Sequence, residues 1–129
     1  YDGRWHKINE AGLNPLPPGR HIPVWLGGMA PQVIDRVGRL ADGWFPFFNP
    51  NLAEQIARMR AIAHDHGRNP DDIGIEVMVS GAPDKLPDQV KRLADMGVTH
   101  VAVATMNQGL SPDAHTEALQ RNIEAVSRT

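Results

Sequence analysis

Two adjacent glycines, Gly27 and Gly28, are the residues of this sequence best placed for chemistry. They follow the apolar run 22–26, which is typical of a buried strand, and precede Pro31, a residue suited to the first turn of a helix. Such a turn leaves backbone N–H groups uncovered beside the positive end of the helix dipole, where a phosphate group can bind. The alternative is a tight turn that needs glycine only for its backbone dihedral angles. A lone pair of glycines does not distinguish the two.

Few other residues are candidates for catalysis or metal binding. His64, Asp65 and His66 are adjacent, but residues two apart on a helix point in different directions, so the sequence predicts no metal site there. No Gly-x-Ser-x-Gly motif supports a serine nucleophile, and the absence of cysteine excludes thiolate chemistry and disulfides. His100 lies in an apolar segment and is expected to be a hydrogen-bonded structural residue. His115 is expected to face solvent.

The composition fits one ordinary globular domain, with 129 residues of which 41% are hydrophobic. A net charge of −2 and a pI near 6.3 argue against nucleic acid or an anionic membrane as the main partner. No apolar run is long enough to span a bilayer, and the lack of cysteine is compatible with a cytoplasmic protein. Because the sequence begins at Tyr1 rather than at methionine, we expect it to be part of a longer protein.

The elements that would position these groups alternate between strands and helices. Residues 1–21 are rich in proline and glycine and predict an irregular or hairpin-like segment. From residue 22 to residue 129, four β-forming segments each precede a helical pattern. The predicted strands are 22–26, 44–48, 73–80 and 98–104, and the predicted helices are 31–41, 52–67, 88–96 and 111–129. The first two strands are continuous apolar runs, which indicates burial on both faces.

Residues at the ends of the predicted helices support these boundaries. Gly67 and Gly97 are natural caps for the carboxyl ends of the second and third helices. Ser111 is expected to cap the last helix, with Pro112 at its first position. That helix is expected to bury one face, formed by Leu119, Ile123 and Val126.

Strands separated by helical crossovers predict a parallel α/β sheet with right-handed connections. Two architectures fit this pattern, a small doubly wound sheet and part of a (β/α)8 barrel. Both place ligands at the carboxyl ends of the strands. Phe45, Ser80, Thr105 and Met106 lie at those ends, so we expect them around the mouth of a pocket. Ser80 and Thr105 would donate hydrogen bonds there, and Phe45 would flank a ring or pack in the core.

Five segments, in their order and spacing, resemble the carboxyl-terminal half of the luciferase-like monooxygenases, and within them the oxidoreductases that use the deazaflavin coenzyme F420. The segments are Asp2 to Trp5, Pro15 to Pro18, Ile22 to Gly28, Ala41 to Trp44, and His66 to Pro70. The resemblance covers essentially the whole chain.

The resemblance implies that the chain supplies the last four strand–helix units of a TIM-type (β/α)8 barrel. It implies that Gly27, Gly28, Met29 and Ala30 hold the phosphate of F420, or alternatively of FMN. The family's acid and base groups come largely from the other half of the barrel and match no residue here, so we expect no turnover by this chain alone. Family members are often dimers, and unpaired sheet edges also favour association.

Two other possibilities remain open at the level of sequence. The chain could be a self-standing α/β module that binds a phosphorylated small molecule without catalysis. It could also be a truncated reading frame with no function of its own.

Overall fold

The computed structural model describes residues 1–12 and 14–127, in which four parallel strands alternate with four α-helices. The strands are β1 (Trp25–Gly27), β2 (Gly43–Phe45), β3 (Gly74–Val79) and β4 (His100–Val103). The helices are α1 (Pro31–Leu40), α2 (Leu52–Asp65), α3 (Leu86–Asp95) and α4 (Ala114–Val126). No helix of the described residues is long and apolar enough to cross a membrane.

The strands lie in the sheet in the same order as in the sequence, β1-β2-β3-β4, and every pairing is parallel. A doubly wound sheet reverses its strand order at a switch point, whereas a barrel adds each strand beside the last. The order therefore confirms the prediction of four units from a (β/α)8 barrel. Over the residues described, the sheet is not closed, so β1 and β4 are its two edges.

Side chains alternate across the sheet, which places the core on one side of it. Ile73, Ile75, Val77 and Val79 are buried, as their alternation with more exposed neighbours predicts. They belong to one cluster with buried residues of the helices. The apolar core therefore lies on the helix side of the sheet.

Glycine ends two of the helices as predicted. Gly67 follows α2 with a φ of +71°, and Gly97 follows α3 with a φ of +90°. The next amide in each case bonds back into the helix, from Arg68 N to Ala63 O at 2.9 Å and from Val98 N to Leu93 O at 3.0 Å. These bonds satisfy carbonyls that a helix end otherwise leaves unpaired.

Arg68 joins the end of α2 to the end of α1. Its guanidinium donates to the backbone oxygens of Val37 at 3.1 Å, Gly38 at 2.8 Å and Ala41 at 2.6 Å. We expect Arg68→Met to lower the free energy of unfolding by about 2–3 kcal/mol, because it leaves partly buried carbonyls unpaired. Urea unfolding would measure this loss. Arg58→Met is the control because it removes an arginine from an exposed position of α2, and an equal loss in both variants would contradict the capping role.

The first two strands differ from the sequence-based prediction. Strand β1 begins at Trp25 rather than at Ile22, and β2 ends at Phe45 rather than at Phe48. Burial on both faces is also wrong, since Phe45 of β2 is 42% exposed on the face away from the helices, and Val24 and Phe48 of the apolar runs lie outside the strands and are 53% and 58% exposed. The physical reason is that helices cover only one side of the sheet, so apolar residues on the other side and in the adjoining loops stay open.

The last helix begins later than predicted. It starts at Ala114, and Ser111 contributes only a backbone oxygen, which accepts from the amide of Ala114 at 3.0 Å. The buried residues of α4 are Ala118 and Asn122, whereas Ile123 of the predicted face is 58% exposed. The predicted helix extended over Arg128 and Thr129, which lie outside the described residues.

Candidate functional site

The face of the sheet away from the helices, here named the inner face, carries a cluster of rings. Trp25 lies across the Cα atoms of Gly43 and Gly74, and a Cβ at either glycine would overlap its ring. Phe45 packs against Trp25 with ring centroids 4.9 Å apart. The ring of His100 meets the ring of Trp25 edge-on, with centroids 5.5 Å apart. The two strand glycines therefore allow one indole to cover the amino-terminal part of the sheet.

The glycine turn lies at the carboxyl end of β1, on the amino-terminal side of α1. Gly28 has a φ of +107°, and its amide is 3.4 Å from the backbone oxygen of Phe45. Among the described residues, the amides of Met29 and Ala30 donate to no backbone oxygen. The turn thus presents two unpaired N–H groups beside the positive end of α1, which is the arrangement that binds anions.

Two side chains of the neighbouring unit hold this turn in place. The indole nitrogen of Trp44, a fully buried residue, donates to the backbone oxygen of Gly28 at 2.7 Å. The side-chain amide of Asn49 donates to Gln55 Oε1 at 3.1 Å and approaches Met29 Sδ at 3.3 Å. Neither role was predicted from the sequence, because nothing in the local pattern around Trp44 or Asn49 indicates which distant backbone each one meets.

The conformation of Gly28 limits how the turn can be probed. A valine at this position would meet Val33 at 3.5 Å and would also have to adopt a φ of +107°, which is strained for residues with a side chain. Such a variant therefore perturbs the backbone as well as the binding surface. Gly27 has no such φ, and a Cβ added there would have Phe45 O as its nearest neighbour, at 4.0 Å. Gly27 is therefore the better position for substitution.

The four residues predicted at the pocket mouth occupy three environments. Ser80 and Met106 line one open cavity of about 480 Å³ between the loops that follow β3 and β4. Phe45 lies on the inner face and is 42% exposed. Thr105 is only 6% exposed and shares a 2.8 Å hydrogen bond with His115 Nδ1. His115 is therefore partly buried and paired, and its predicted solvent-facing position is wrong because α4 packs it against the end of β4.

The inner face also carries two titratable side chains that were not predicted to lie there. Glu76 and His100 are register partners on β3 and β4. His100 is exposed rather than enclosed by apolar residues, although it does form the expected hydrogen bond, at 2.8 Å to Thr99 Oγ1. The position of Glu76 could have been predicted from strand alternation, because its two neighbours in sequence are buried and its side chain must then lie on the opposite face of the sheet. In residues 1–12 and 14–127, no three His, Asp or Glu side chains are grouped as metal ligands.

Asp42 fastens the chain just before β1 to the chain just before β2. Its carboxylate accepts from the amide of Val24 at 2.7 Å and lies 3.2 Å from His21 Nε2. The backbone hydrogen bond from Val24 is the main cause that lowers the pKa of Asp42, and His21 and Arg68 lower it further against a smaller opposing effect of burial.

This lowered pKa predicts an acid-dependent loss of stability. The folded state favours the ionised carboxylate, so its contribution is complete above the unfolded-state pKa of about 4 and is lost as the pH falls through the lower folded-state value. Asp42→Asn is expected to reduce the slope of unfolding free energy against pH below about 4. The exposed Asp65→Asn serves as the control; the same slope in the wild type and Asp42→Asn would contradict this role.

Comparisons with known proteins agree with the fold. The model of the luciferase-like monooxygenase family matches residues 1–128. An uncharacterized protein of Mycobacterium tuberculosis (strain ATCC 25618 / H37Rv) is 32% identical over 130 residues, covering 96% of this chain and 43% of that protein. An F420-dependent glucose-6-phosphate dehydrogenase of Mycolicibacterium gilvum (strain PYR-GCK) is 30% identical over 89 residues, covering 62% of this chain and 25% of that enzyme.

A solved structure shows the same architecture. The coenzyme F420-dependent tetrahydromethanopterin reductase of Methanopyrus kandleri superposes with a TM-score of 0.70 at 17% sequence identity, over 96% of this chain and 57% of that one. The chain thus spans less than half the length of the mycobacterial relative and somewhat more than half of the reductase. Because the family model covers nearly every residue and the fold agrees, the chain belongs to the luciferase-like monooxygenase family.

Proposed function

We propose that this chain is the cofactor-phosphate and substrate-facing part of an F420-dependent oxidoreductase. The observation that carries the proposal is the turn after β1, where the amides of Met29 and Ala30 have no backbone acceptor at the start of α1. The family membership and a relative named as an F420-dependent dehydrogenase support a deazaflavin cofactor. FMN is the alternative cofactor for the same turn.

The residues of the turn fit a phosphate group. Gly27 is exposed and has no side chain, and the atom nearest to where a Cβ would lie is 4.0 Å away. The space in front of the turn is therefore open to a ligand. A phosphate there would accept hydrogen bonds from Met29 N and Ala30 N and would interact favourably with the dipole of α1.

The bound cofactor would supply hydride transfer, and the protein would bind and orient it. In this chain the amides of Met29 and Ala30 would bind, while Trp44 would fix the peptide of Gly28 through its 2.7 Å hydrogen bond. Phe45, Ser80, Thr105 and Met106 stay candidates for the pocket around the substrate. We propose that the acid and base groups come from another part of the complete enzyme, so that this chain alone does not turn over substrate.

A self-standing module that binds a phosphorylated small molecule is the second candidate. The specific observation in its favour is the core on the helix side, where Trp44, Leu52 and Ile75 are all fully buried within this chain. Such a core favours folding without further strands. In that case the glycine turn would bind a phosphorylated ligand by itself.

We also propose a small-molecule substrate, a cytoplasmic location and a homodimer, with no nucleic acid or membrane partner. The net charge of −2 supports the exclusion of polyanions, and the absence of cysteine is compatible with the cytoplasm. The unpaired edges β1 and β4 would favour association with a second copy. Sedimentation at several concentrations would measure the mass, and a constant monomer mass would contradict the dimer.

Nuclear magnetic resonance of backbone amides tests the proposed phosphate position. When F420 is titrated into an F420-binding protein that contains this chain, we expect the amide signals of Met29 and Ala30 to shift most. The matched control is the amide of Gly97, which lies in the turn after α3 and already donates to Ala94 O at 2.8 Å. Binding of F420 without a change at Met29 and Ala30 would remove this turn from the site.

A further inference from the structure

The carboxyl ends of β2, β3 and β4 carry large apolar side chains that are exposed. Phe47 and Phe48 follow β2, Met78 lies near the end of β3, and Met106 follows β4, and each is between 51% and 68% exposed. Phe47, Phe48 and Met106 lie beyond the ends of their strands, so pairing of the open sheet edges with further strands would not by itself cover them. Exposed apolar groups that lie close together are typical of binding sites.

A cavity of about 270 Å³ brings two of these side chains together. Phe48 and Met78 line it with Ser80, and the buried Val79 extends its apolar wall. Ser80 also lines the cavity of about 480 Å³ that contains Met106, so the two cavities adjoin at Ser80. A ligand beside Ser80 would therefore lie among apolar side chains of three successive strand–helix units.

The same ends of the strands are poor in charge. Among the described residues, the first four positions after each of the four strands contain no Asp, Glu, Lys or Arg. Arg92 lines the smaller cavity and Arg121 lines the larger one, but both lie exposed on helices. Exposed charges contribute little binding energy, because water and salt screen them. The lining therefore favours an uncharged ligand.

We propose that the substrate is an uncharged and mainly apolar molecule, aliphatic or aromatic, whose apolar part contacts Phe48 and Met78. The hydroxyl group of Ser80 can donate a hydrogen bond to a hydroxyl or carbonyl oxygen of such a molecule. This substrate class rests on the proposed function, since it describes the substrate pocket of the F420-dependent oxidoreductase. It differs from the phosphorylated sugar in the name of the related glucose-6-phosphate dehydrogenase.

Methionine methyl signals in nuclear magnetic resonance can follow the pocket and the glycine turn in one sample. Met78 and Met106 report the pocket, Met29 reports the glycine turn, and Met59, which is 0% exposed, is the control in the core. The complete enzyme would be titrated with benzylacetone as the uncharged probe and with glucose 6-phosphate as the anionic probe, both without F420 and at saturating F420. We expect saturable shifts of Met78 with benzylacetone only, and no shift of Met59.

The outcomes separate the substrate class from the cofactor. The absence of saturable shifts of Met78 with benzylacetone in both conditions would overturn the proposed class. Saturable shifts of Met78 with glucose 6-phosphate would overturn it as well and would assign an anionic substrate. A separate titration with F420 alone tests the cofactor position at Met29, and its failure would leave the result at Met78 interpretable.

Phe48→Ser tests the apolar contact, and Leu40→Ser is the matched control. Both residues are exposed and apolar, at 58% and 68%, but Leu40 ends α1 and does not line the cavity. We expect about a tenfold loss of affinity for benzylacetone in Phe48→Ser, because the contact with the ring is removed, and little change in Leu40→Ser. Because Phe48 is exposed, the midpoint of urea unfolding should stay the same. Equal affinities in the two variants would overturn the contact with Phe48.

Discussion

Gly27→Val in the complete enzyme is expected to weaken F420 binding by about 100-fold or more while leaving the fold intact. Two hydrogen bonds from backbone amides to a phosphate contribute about 1.5–3 kcal/mol each, and each 1.4 kcal/mol corresponds to about a tenfold change in affinity. The new side chain would extend into the open space at the carboxyl end of β1, where the phosphate is proposed to lie. Valine is compatible with the strand conformation of Gly27, and only Phe45 O lies within 4.0 Å of its Cβ position.

Two variants make the result at Gly27 interpretable. Gly12→Val is the control, because a Cβ at Gly12 meets no atom within 4 Å and the residue lies in the irregular segment. Gly28→Ala is expected to destabilise the fold by about 1–3 kcal/mol, since its φ is +107°. A side chain at Gly28 is therefore not expected to leave the fold intact. Unchanged F420 affinity in Gly27→Val would exclude the turn as the phosphate site.

Trp44→Ala is expected to lower the free energy of unfolding by about 3–5 kcal/mol, the usual loss when a large aromatic residue is removed from a core. The side chain of Trp44 is fully buried, with 0% relative exposure, and packs in the apolar cluster between the sheet and the helices. Urea unfolding followed by circular dichroism would measure the change. Trp5→Ala is the matched control: Trp5 is 77% exposed, and we expect a change within about 0.5 kcal/mol.

Trp44→Phe separates packing from the hydrogen bond to the glycine turn. Phenylalanine keeps most of the apolar contact but cannot donate to Gly28 O, so we expect a loss of about 1–2 kcal/mol in stability. In the complete enzyme, F420 affinity should also fall, because the turn is less firmly fixed. Full F420 affinity in Trp44→Phe would contradict the positioning role, whatever the change in stability.

Local sequence patterns predicted the elements of this fold well. The alternation around Ile75 and Val77 predicted β3, and the glycines at 67 and 97 predicted the ends of α2 and α3. These features depend on residues close in sequence, through the strand period of two and the positive φ that glycine allows. The parallel sheet followed from the alternation of strands and helices.

Contacts between distant segments could not be read in the same way. Gly43 and Gly74 are glycines within strands, which indicates a close approach by another group, but only the structure shows that the group is Trp25. The bonds from Trp44 to Gly28 and from Thr105 to His115 likewise join residues of different elements. Burial of the first two strands was predicted wrongly, because an apolar run does not show that helices pack on only one side of the sheet.

The candidate site was predictable only in part for the same reason. The glycine turn has a local signature, a strand followed by Gly27, Gly28 and a proline at the start of a helix. Asn49 has none, because no local pattern around it indicates that its side chain reaches Gln55 and Met29 beside that turn.

The most direct test of the central proposal is a fluorescence titration with F420, and with FMN in parallel. Two proteins would be compared, the 129-residue chain and, if its gene encodes sequence ahead of Tyr1, the chain with that sequence included. We predict saturable binding of F420 by the longer protein, weaker binding of FMN, and no binding of either by the 129-residue chain alone. Binding of F420 or FMN by the 129-residue chain with the same affinity would contradict this account and would favour a self-standing module.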